Sequence, residues 1–477
     1  MSKFSEYLEK GIDNSGMTEN QLAKISGFTR SYIALMKNGQ RVSRDMEKTK
    51  CLLQALNLSV EEYNAIWSEY LQERMGKERY QKTDAVMKFM QNFDCVSNLR
   101  MKAVVQYDIP KRMMLKGSMD IEYMIRAMIE KEAAKENGFI YIMMQPKASI
   151  WDSLLPGICK NNKNLLIEHI VCMEKFTDIG MKNKYLYNFD LLKKLVPTVV
   201  CNSSDNYKVY YFYDHIASRA HSGWLLSNMV LTSEHLLCFD PAMDNAVLTD
   251  EQAMYDMFKN MFEEHKKNCH VMFQHMDMMQ CMQYGIYMKN ARSRNCYTIA
   301  TQPCFAMLKV VHMLKRYLKP EYVAIGPLLE AQINANLEWL SEEKNKEISY
   351  CNKSGLLRFA QDGIVDEMPY GTYDLLNKAD RKRMLELLVE QIETGKYEMY
   401  LIDDMDVKLL PELTICSFSA SNSVIRYQSP NHSSQIMLQE KSSDKIIYEA
   451  LEVAMKHPHV LSMEESLEFL KNIIVSL

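Results

Sequence analysis

The sequence lacks most features that would place a chain at a glance. No run of about 18 apolar residues, the length a helix needs to cross a bilayer, occurs among its 477 residues, and the N-terminal MSKFSEYLEKG has no apolar core of a signal peptide. Such a chain is expected in the cytoplasm, with no membrane partner. The twelve cysteines contain no CxxC pair and lie scattered in apolar runs such as HIVCM, which fits reduced core residues better than a disulfide framework. A net charge of -4 excludes a uniformly basic nucleic-acid coat but leaves room for a local basic patch. There is no P-loop, dinucleotide-binding glycine pattern, GxSxG elbow or HExxH site. Nothing in the residues demands an enzyme, a cofactor or a bound metal.

What is present is a globular composition, 47% apolar and 25% charged. The length suggests two to four domains. Methionine is frequent, with 37 residues.

Residues 1–75 read as five short helices separated by turn residues. Phe4, Leu8 and Ile12 share one face of the first, which Gly16 ends. Thr18-Glu19-Asn20-Gln21 is a capping box opening the second helix, and Gly27 closes it. The third starts at Thr29 as N-cap and stops at Gly39, where a left-handed cap is needed. A fourth is expected from Ser43 and a fifth from the box Ser59-Val60-Glu61-Glu62. Two short helices around a glycine turn, the second with polar groups at its front, have the geometry of a helix-turn-helix, whose second helix enters the DNA major groove. Between residues 24 and 50 seven basic residues (Lys24, Arg30, Lys37, Arg41, Arg44, Lys48, Lys50) face only two acidic ones, Asp45 and Glu47. The excess falls where phosphates would lie.

The stretch MTENQLAKISGFTRSYIALMKNGQRVS resembles the lambda-repressor-like, Cro-type helix-turn-helix of XRE-family transcriptional regulators in bacteria and phages. By position the resemblance implies DNA contacts from Gln21 and from Thr29, Arg30, Ser31 and Tyr32, with Lys37, Asn38 and Arg41 on the backbone of double-stranded DNA. Glu19 and Leu35 depart from the family's usual polar or basic residues. A degenerate module that binds protein is therefore an alternative.

Residues 76–117 read as a charged helical linker, either a spacer or a site of dimer contacts or, as plain sequence, a solvated helix. From 118 to 290 helices alternate with apolar strands, which implies a sheet covered on both faces. Ile121, Met124, Ile125, Met128 and Ile129 mark an amphipathic helix over 120–137. FIYIMMQ, LLIEHIVCM, KVYYFY, NMVLT and HLLCF read as strands, with helices at 149–161 and 188–196 between them, and TDEQAMYDMFKNMFEEH as the closing helix. This element order resembles the phospholipase D-like fold. That fold's signature is a His, a Lys two residues on and an Asp five beyond it. Only His265-Lys266-Lys267 begins it here, and Met272 stands at the Asp position, so the resemblance implies a sensing domain without catalysis.

Residues 291–477 form an α+β domain of unassigned role: helices first, then strands EMYLI, ELTICSF, SVIRYQ and SQIMLQE, then two helices. Its close has the same order as the end of the preceding unit, without a residue-level repeat. Asp404-Met405-Asp406-Val407 resembles the nucleophile strand of haloacid-dehalogenase-type phosphatases, but the chain behind it is too short for that fold. Cys269, His270, His275, Met276, Met278, Met279 and Cys281 could suit a soft metal, yet no pair has structural-zinc spacing, and a core or interface segment is the simpler account. Tyr210, Tyr211, Tyr213, Asp214, His215, Arg219, His221 and Trp224 form the richest polar-aromatic group, with Tyr211, Tyr213, His215 and Trp224 as candidate ligand contacts. A strand alternating between core and surface would give the same pattern. The fold class expected is an all-α five-helix N-terminal helix-turn-helix domain followed by a large α/β or α+β region of one or two subdomains. The function expected is a sequence-specific transcriptional regulator, a homodimer that responds to a small-molecule or protein effector. The alternative is a hydrolase or phosphodiesterase fused to a DNA-binding module.

Overall fold

The computed structural model describes residues 2–93, 108–146, 150–162, 164–175, 184–200, 206–215, 227–404, 407–430, 432–457 and 459–477. Its first five helices are α1 (Lys3–Ser15), α2 (Glu19–Ser26), α3 (Arg30–Lys37), α4 (Met46–Ala55) and α5 (Val60–Met75). Each starts at a side chain that accepts an otherwise orphaned amide: Ser2, Thr18, Thr29, Asp45 and Ser59. The capping boxes at Thr18 and Ser59 both form. α4 begins at Met46 rather than at Ser43, because Asp45 caps the Lys48 amide while Ser43 is spent on the turn before it. Gly39 turns the chain out of α3 at φ +71°, and a Cβ there would sit 3.0 Å from Ser5 Oγ. Phe4, Leu22, Ile33, Met36, Leu53, Trp67 and Tyr70 make one core of their own. The Tyr70 hydroxyl donates to the Ser43 carbonyl (3.1 Å), tying α5 to the α3–α4 turn.

α6 (Lys77–Gln91) comes after Gly76 and is built into the body of the protein. Its apolar side joins the main core. Lys82 pairs with Glu449 (2.7 Å) and Thr83 donates to the Ala450 carbonyl (3.2 Å), so this segment is neither a solvated spacer nor detached from the rest of the chain. Residues 112–116, also expected in a helical linker, form an edge strand.

The rest runs β1 (Arg112–Lys116), α7 (Ser118–Ala133), β2 (Phe139–Met143), α8 (Ile150–Ser153), α9 (Leu155–Asn161), β3 (Leu166–Glu174), α10 (Lys184–Val200), β4 (Tyr207–Asp214), β5 (Asn228–Leu231), β6 (Leu236–Phe239), β7 (Asn245–Thr249) and α11 (Gln252–Lys267). Then come β8 (His270–Val271), β9 (Phe273–Met276), α12 (Met278–Tyr287), β10 (Asn295–Ile299), α13 (Val311–Tyr317), α14 (Gly326–Ser341), β11 (Lys346–Asn352), α15 (Lys353–Asp362), α16 (Lys378–Glu393), β12 (Tyr397–Ile402), β13 (Leu413–Ser419), β14 (Asn422–Ser429), β15 (His432–Leu438), α17 (Lys441–Val453) and α18 (Met463–Ser476). The protein is therefore mixed α/β, with an all-helical N-terminal part. Among the described residues no helix is long and apolar enough to cross a membrane.

The strands form two mixed sheets, ordered β1-β7-β6-β5-β2-β3-β4-β8 and β12-β11-β10-β13-β14-β15-β9. The two orders are one topology used twice. In each, three parallel strands (β2, β3, β4; β10, β11, β12) border an antiparallel meander (β5, β6, β7; β13, β14, β15), and the first strand of the unit lies antiparallel on the last. The second unit thus starts with β9, upstream of residue 291. The packing repeats too. Tyr141 of β2 stacks on Phe262 of α11 at 4.5 Å, and Tyr297, at the same place in β10, meets Tyr448 of α17 at 5.1 Å.

One stretch joins the sheets. β8 pairs with β4, β9 pairs with β15, and Met272 between them donates to Val209 O and accepts from Gln439 N, both at 2.9 Å. A single apolar cluster draws Ile142, Val171 and Phe239 from the first unit and Tyr297, Ile415 and Ile425 from the second. Within it, His169 is buried with Nε2 2.9 Å from the Met144 carbonyl and Nδ1 2.8 Å from the Tyr207 hydroxyl. A carbonyl can only accept, so Nε2 carries the proton and Nδ1 accepts from the tyrosine. Burial holds this imidazole neutral, with its pKa down at about 4.

Candidate nucleic-acid interface and aromatic cluster

α3 buries Ile33 and Met36 and leaves the groups at its front outside: Thr29, Arg30 and Ser31 are exposed and Tyr32 is half-buried. The helical period alone produces this division. Thr29 Oγ1 accepts the Tyr32 amide (3.2 Å) and lies 3.2 Å from Ser31 Oγ, so two hydroxyls are held together at the helix start. Tyr32 stacks on Phe28 with centroids 5.2 Å apart, fixing the ring against the α2–α3 turn. Arg30 reaches back to Glu19 of α2, Nε to Oε2 3.4 Å, with its side chain 68% exposed. Glu19 thus tethers the arginine to α2.

The other sequence candidates differ in what they have left to offer. Gln21 Oε1 accepts from the Thr18 amide (2.8 Å) and hydroxyl (2.9 Å), so the cap uses its carbonyl end and leaves the NH2 group. Lys37 is only 22% exposed and lies between Glu9 (3.8 Å) and Asp13 (3.5 Å) of α1. Asn38, Arg41 and Arg44 are exposed beyond the helix end. The aliphatic chain of Lys48 covers Gly27, which puts a further ammonium group beside the α2–α3 turn.

In the aromatic cluster Tyr211 and Tyr213 are brought together, rings 5.5 Å apart and edge to face. They border a cleft of about 800 Å³ where β4 and β8 meet β9. Both hydroxyls reach across to the second unit. Tyr211 donates to the Gln439 carbonyl (3.2 Å), and Tyr213 makes a short hydrogen bond to Glu440. Glu440 is buried and also caps α17, accepting from the Ser442 and Ser443 amides at 2.9 and 2.8 Å. Burial, then the Glu440 carboxylate, raises the Tyr213 pKa, and burial lifts that of Tyr211 to about 12. His215 sits apart from this pair, Nδ1 3.5 Å from Glu174, whose backbone is held by Asn188. Asn188 in turn donates to Ser442 (2.9 Å). These polar groups thus join the two sheet units. Trp224, Arg219 and His221 lie outside the described residues.

The His265-Lys266-Lys267 triplet ends α11. Lys266 is ion-paired with Glu168 and Glu263, both at 2.8 Å, and lies over the Tyr141 and Tyr210 rings. Among the described residues no three His, Cys, Asp or Glu side chains converge as a metal site would require. Asp404 accepts from the Ser354 amide and hydroxyl at 2.9 and 2.8 Å, while Met405 and Asp406 lie outside the described residues.

No family model matches the sequence, and no curated protein matches it. Among solved structures, the chain is similar to that of TrmBL2, an archaeal chromatin protein with a novel mode of DNA binding. The TM-score is 0.24 at 11% identity, over 56% of this chain and 94% of that one. A second likeness, to phosphatidylserine synthase of Haemophilus influenzae Rd KW20, has TM-score 0.24 and 11% identity over 77% and 93%. At those scores neither likeness carries an argument.

Proposed function

We propose that the chain is a sequence-specific DNA-binding regulator of transcription of the XRE type. In this reading a homodimer places two copies of α3 in successive major grooves, roughly 34 Å apart. The sheet body answers to a small-molecule or protein effector. The observation that carries the reading is the front of α3: two hydroxyls and one tethered arginine stand outside a helix whose apolar residues Ile33 and Met36 are turned into the core. Magnitudes favour release of that arginine onto a base. An exposed ion pair such as Arg30–Glu19 is worth about 0–1 kcal/mol, whereas a bidentate arginine–guanine contact discriminates by about 1–3 kcal/mol.

A physical route from body to reader exists in α6, which touches α5 through Ser68 and Tyr80 (2.7 Å) and α17 through Lys82 and Thr83. Lys267, at the signature's lysine position, is an exposed partner of Glu264, and Met272 stands at the Asp position, which favours a sensing body over a phosphodiesterase. Selection from a random duplex pool with the full-length protein tests the proposal. It should enrich a two-fold symmetric site, bound with affinity that falls steeply with salt as Arg41, Arg44 and Lys48 displace counterions. Failure to enrich any sequence, with salt-independent retention, overturns it.

A further inference from the structure

The duplicated topology permits a position-by-position comparison of the two units. Setting Phe139 of β2 on Asn295 of β10 and tracing the strand pairings outward places Ile142 on Thr298, Ile167 on Glu347, Phe239 on Arg426 and Ala246 on Gln435. In the first unit all four are buried in the main core. In the second the same sheet face is covered by α12 and α14, yet it carries a hydroxyl, a carboxyl, a guanidinium and an amide. Burying such groups without full pairing costs about 1–3 kcal/mol each, and more when they are charged. A covered sheet face gains nothing from them unless something polar is held there.

Between this face and α12 and α14 lies a cavity of about 100 Å³, bordered by Thr298, Arg426, Gln435, Glu367 and Arg292, with Leu329 and Ile333 among its apolar walls. Arg292 is set in place by the rings of Phe418 (5.1 Å) and Trp339 (5.4 Å), and its Nη2 donates to Asn336 (2.7 Å) and the Gly285 carbonyl (3.1 Å). Arg426 donates from Nη1 to the Glu367 carbonyl (2.9 Å). Arg292 Nε and Nη1, Arg426 Nε and Gln435 Oε1 have no hydrogen-bond partner among the described residues. Burial pushes the Glu347 carboxyl up to about 8, so it is protonated at neutral pH and takes the Thr298 hydroxyl's hydrogen bond (2.7 Å). Burial raises Glu367 as well. The cavity thus has two guanidiniums in its wall whose hydrogen-bonding capacity the described residues do not use up.

We propose that this cavity is a binding site for a small carboxylate with a short apolar body, its anionic oxygens on the guanidiniums of Arg426 and Arg292 and its hydrocarbon against Leu329 and Ile333. The volume sets the size: an apolar cavity of about 150 Å³ accommodates benzene, so this one takes a molecule of a few heavy atoms and excludes nucleotides. The site stands on the cavity alone and is independent of DNA recognition, because binding is measured without DNA.

The test is calorimetric titration of the full-length protein with sodium butyrate, butyramide and butylammonium chloride at one ionic strength. Saturable binding of butyrate alone is expected. Equal binding of the amide, or no binding of butyrate at millimolar concentration, overturns the assignment. Arg426→Met should abolish binding, and Arg426→Lys, which keeps the charge but loses the fork, should weaken it roughly tenfold. Thr298→Ile installs the first unit's residue, keeps both arginines, and should block the cavity by volume; it serves if Arg426→Met does not fold. Wild-type affinity in a folded Arg426→Met or Thr298→Ile protein also overturns the proposal.

Discussion

The two sheet units share strand order, register and the aromatic contact that seats the last helix of each, but one is filled and the other is not. Where the first stacks Ile142, Ile167 and Phe239 against covering helices, the second sets Thr298, Glu347 and Arg426. Topology decides which positions face one another. Side-chain identity at those positions decides whether the space between sheet and helix is core or site.

Exchanging the residues should separate the two units most. Phe239→Arg puts an unpaired charge into the filled unit and should destabilise the protein by on the order of 3–5 kcal/mol, whereas Arg426→Phe should change stability by about 1 kcal/mol or less. Urea unfolding midpoints decide; equal losses would mean that the second unit's charge is as integral as the first unit's core.

pH separates the units next. Glu347 has a folded pKa of about 8 against an ordinary 4.5, so between those values the unfolded chain releases a proton that the folded protein keeps. Its contribution is present below about pH 4.5 and is lost as pH rises through 8. Glu347→Gln should flatten that fall in melting temperature, while Ile167, at the matching position of the first unit, has no proton to exchange.

Smaller effects lie at the junction and at the proposed DNA-binding helix. Tyr213→Phe removes one hydrogen bond from the buried Glu440 cap and should cost about 1 kcal/mol of stability, measured by thermal unfolding. Glu19→Gln frees Arg30 and takes a negative charge from the proposed interface, so duplex affinity should rise by less than tenfold, since the tether is worth about 0–1 kcal/mol. An unchanged affinity would show that the pair does not compete with DNA.

The parts legible in the sequence were those fixed by neighbours in the chain. Thr18, Thr29 and Ser59 cap their own helices, and Gly16, Gly27 and Gly39 end them, so the five N-terminal helices could be placed within a few residues. Strands buried on both faces, such as LIEHIVCME, stood out as apolar runs. β11, KEISYCN, did not, because the buried face that carries Glu347 and Ser349 is polar and breaks the apolar pattern. β1 failed for a related reason: as an edge strand it buries only Leu115. The duplication is hard to see in the residues because at several matched positions, such as Ile142 and Thr298 or Phe239 and Arg426, the two units carry opposite chemistry, although Tyr141 and Tyr297 agree. Tyr213 was visible as an aromatic in a strand, but its partner Glu440 stands 227 residues away, and only the fold brings them together.

Whether the front of α3 reads base edges is decided by the affinity of full-length Arg30→Ala for the selected duplex and for a scrambled one of equal length, both at the same salt. Base readout predicts a specificity ratio reduced by about 1–3 kcal/mol with scrambled-site binding nearly unchanged. A ratio equal to that of the wild type, whether or not both affinities fall, would contradict it.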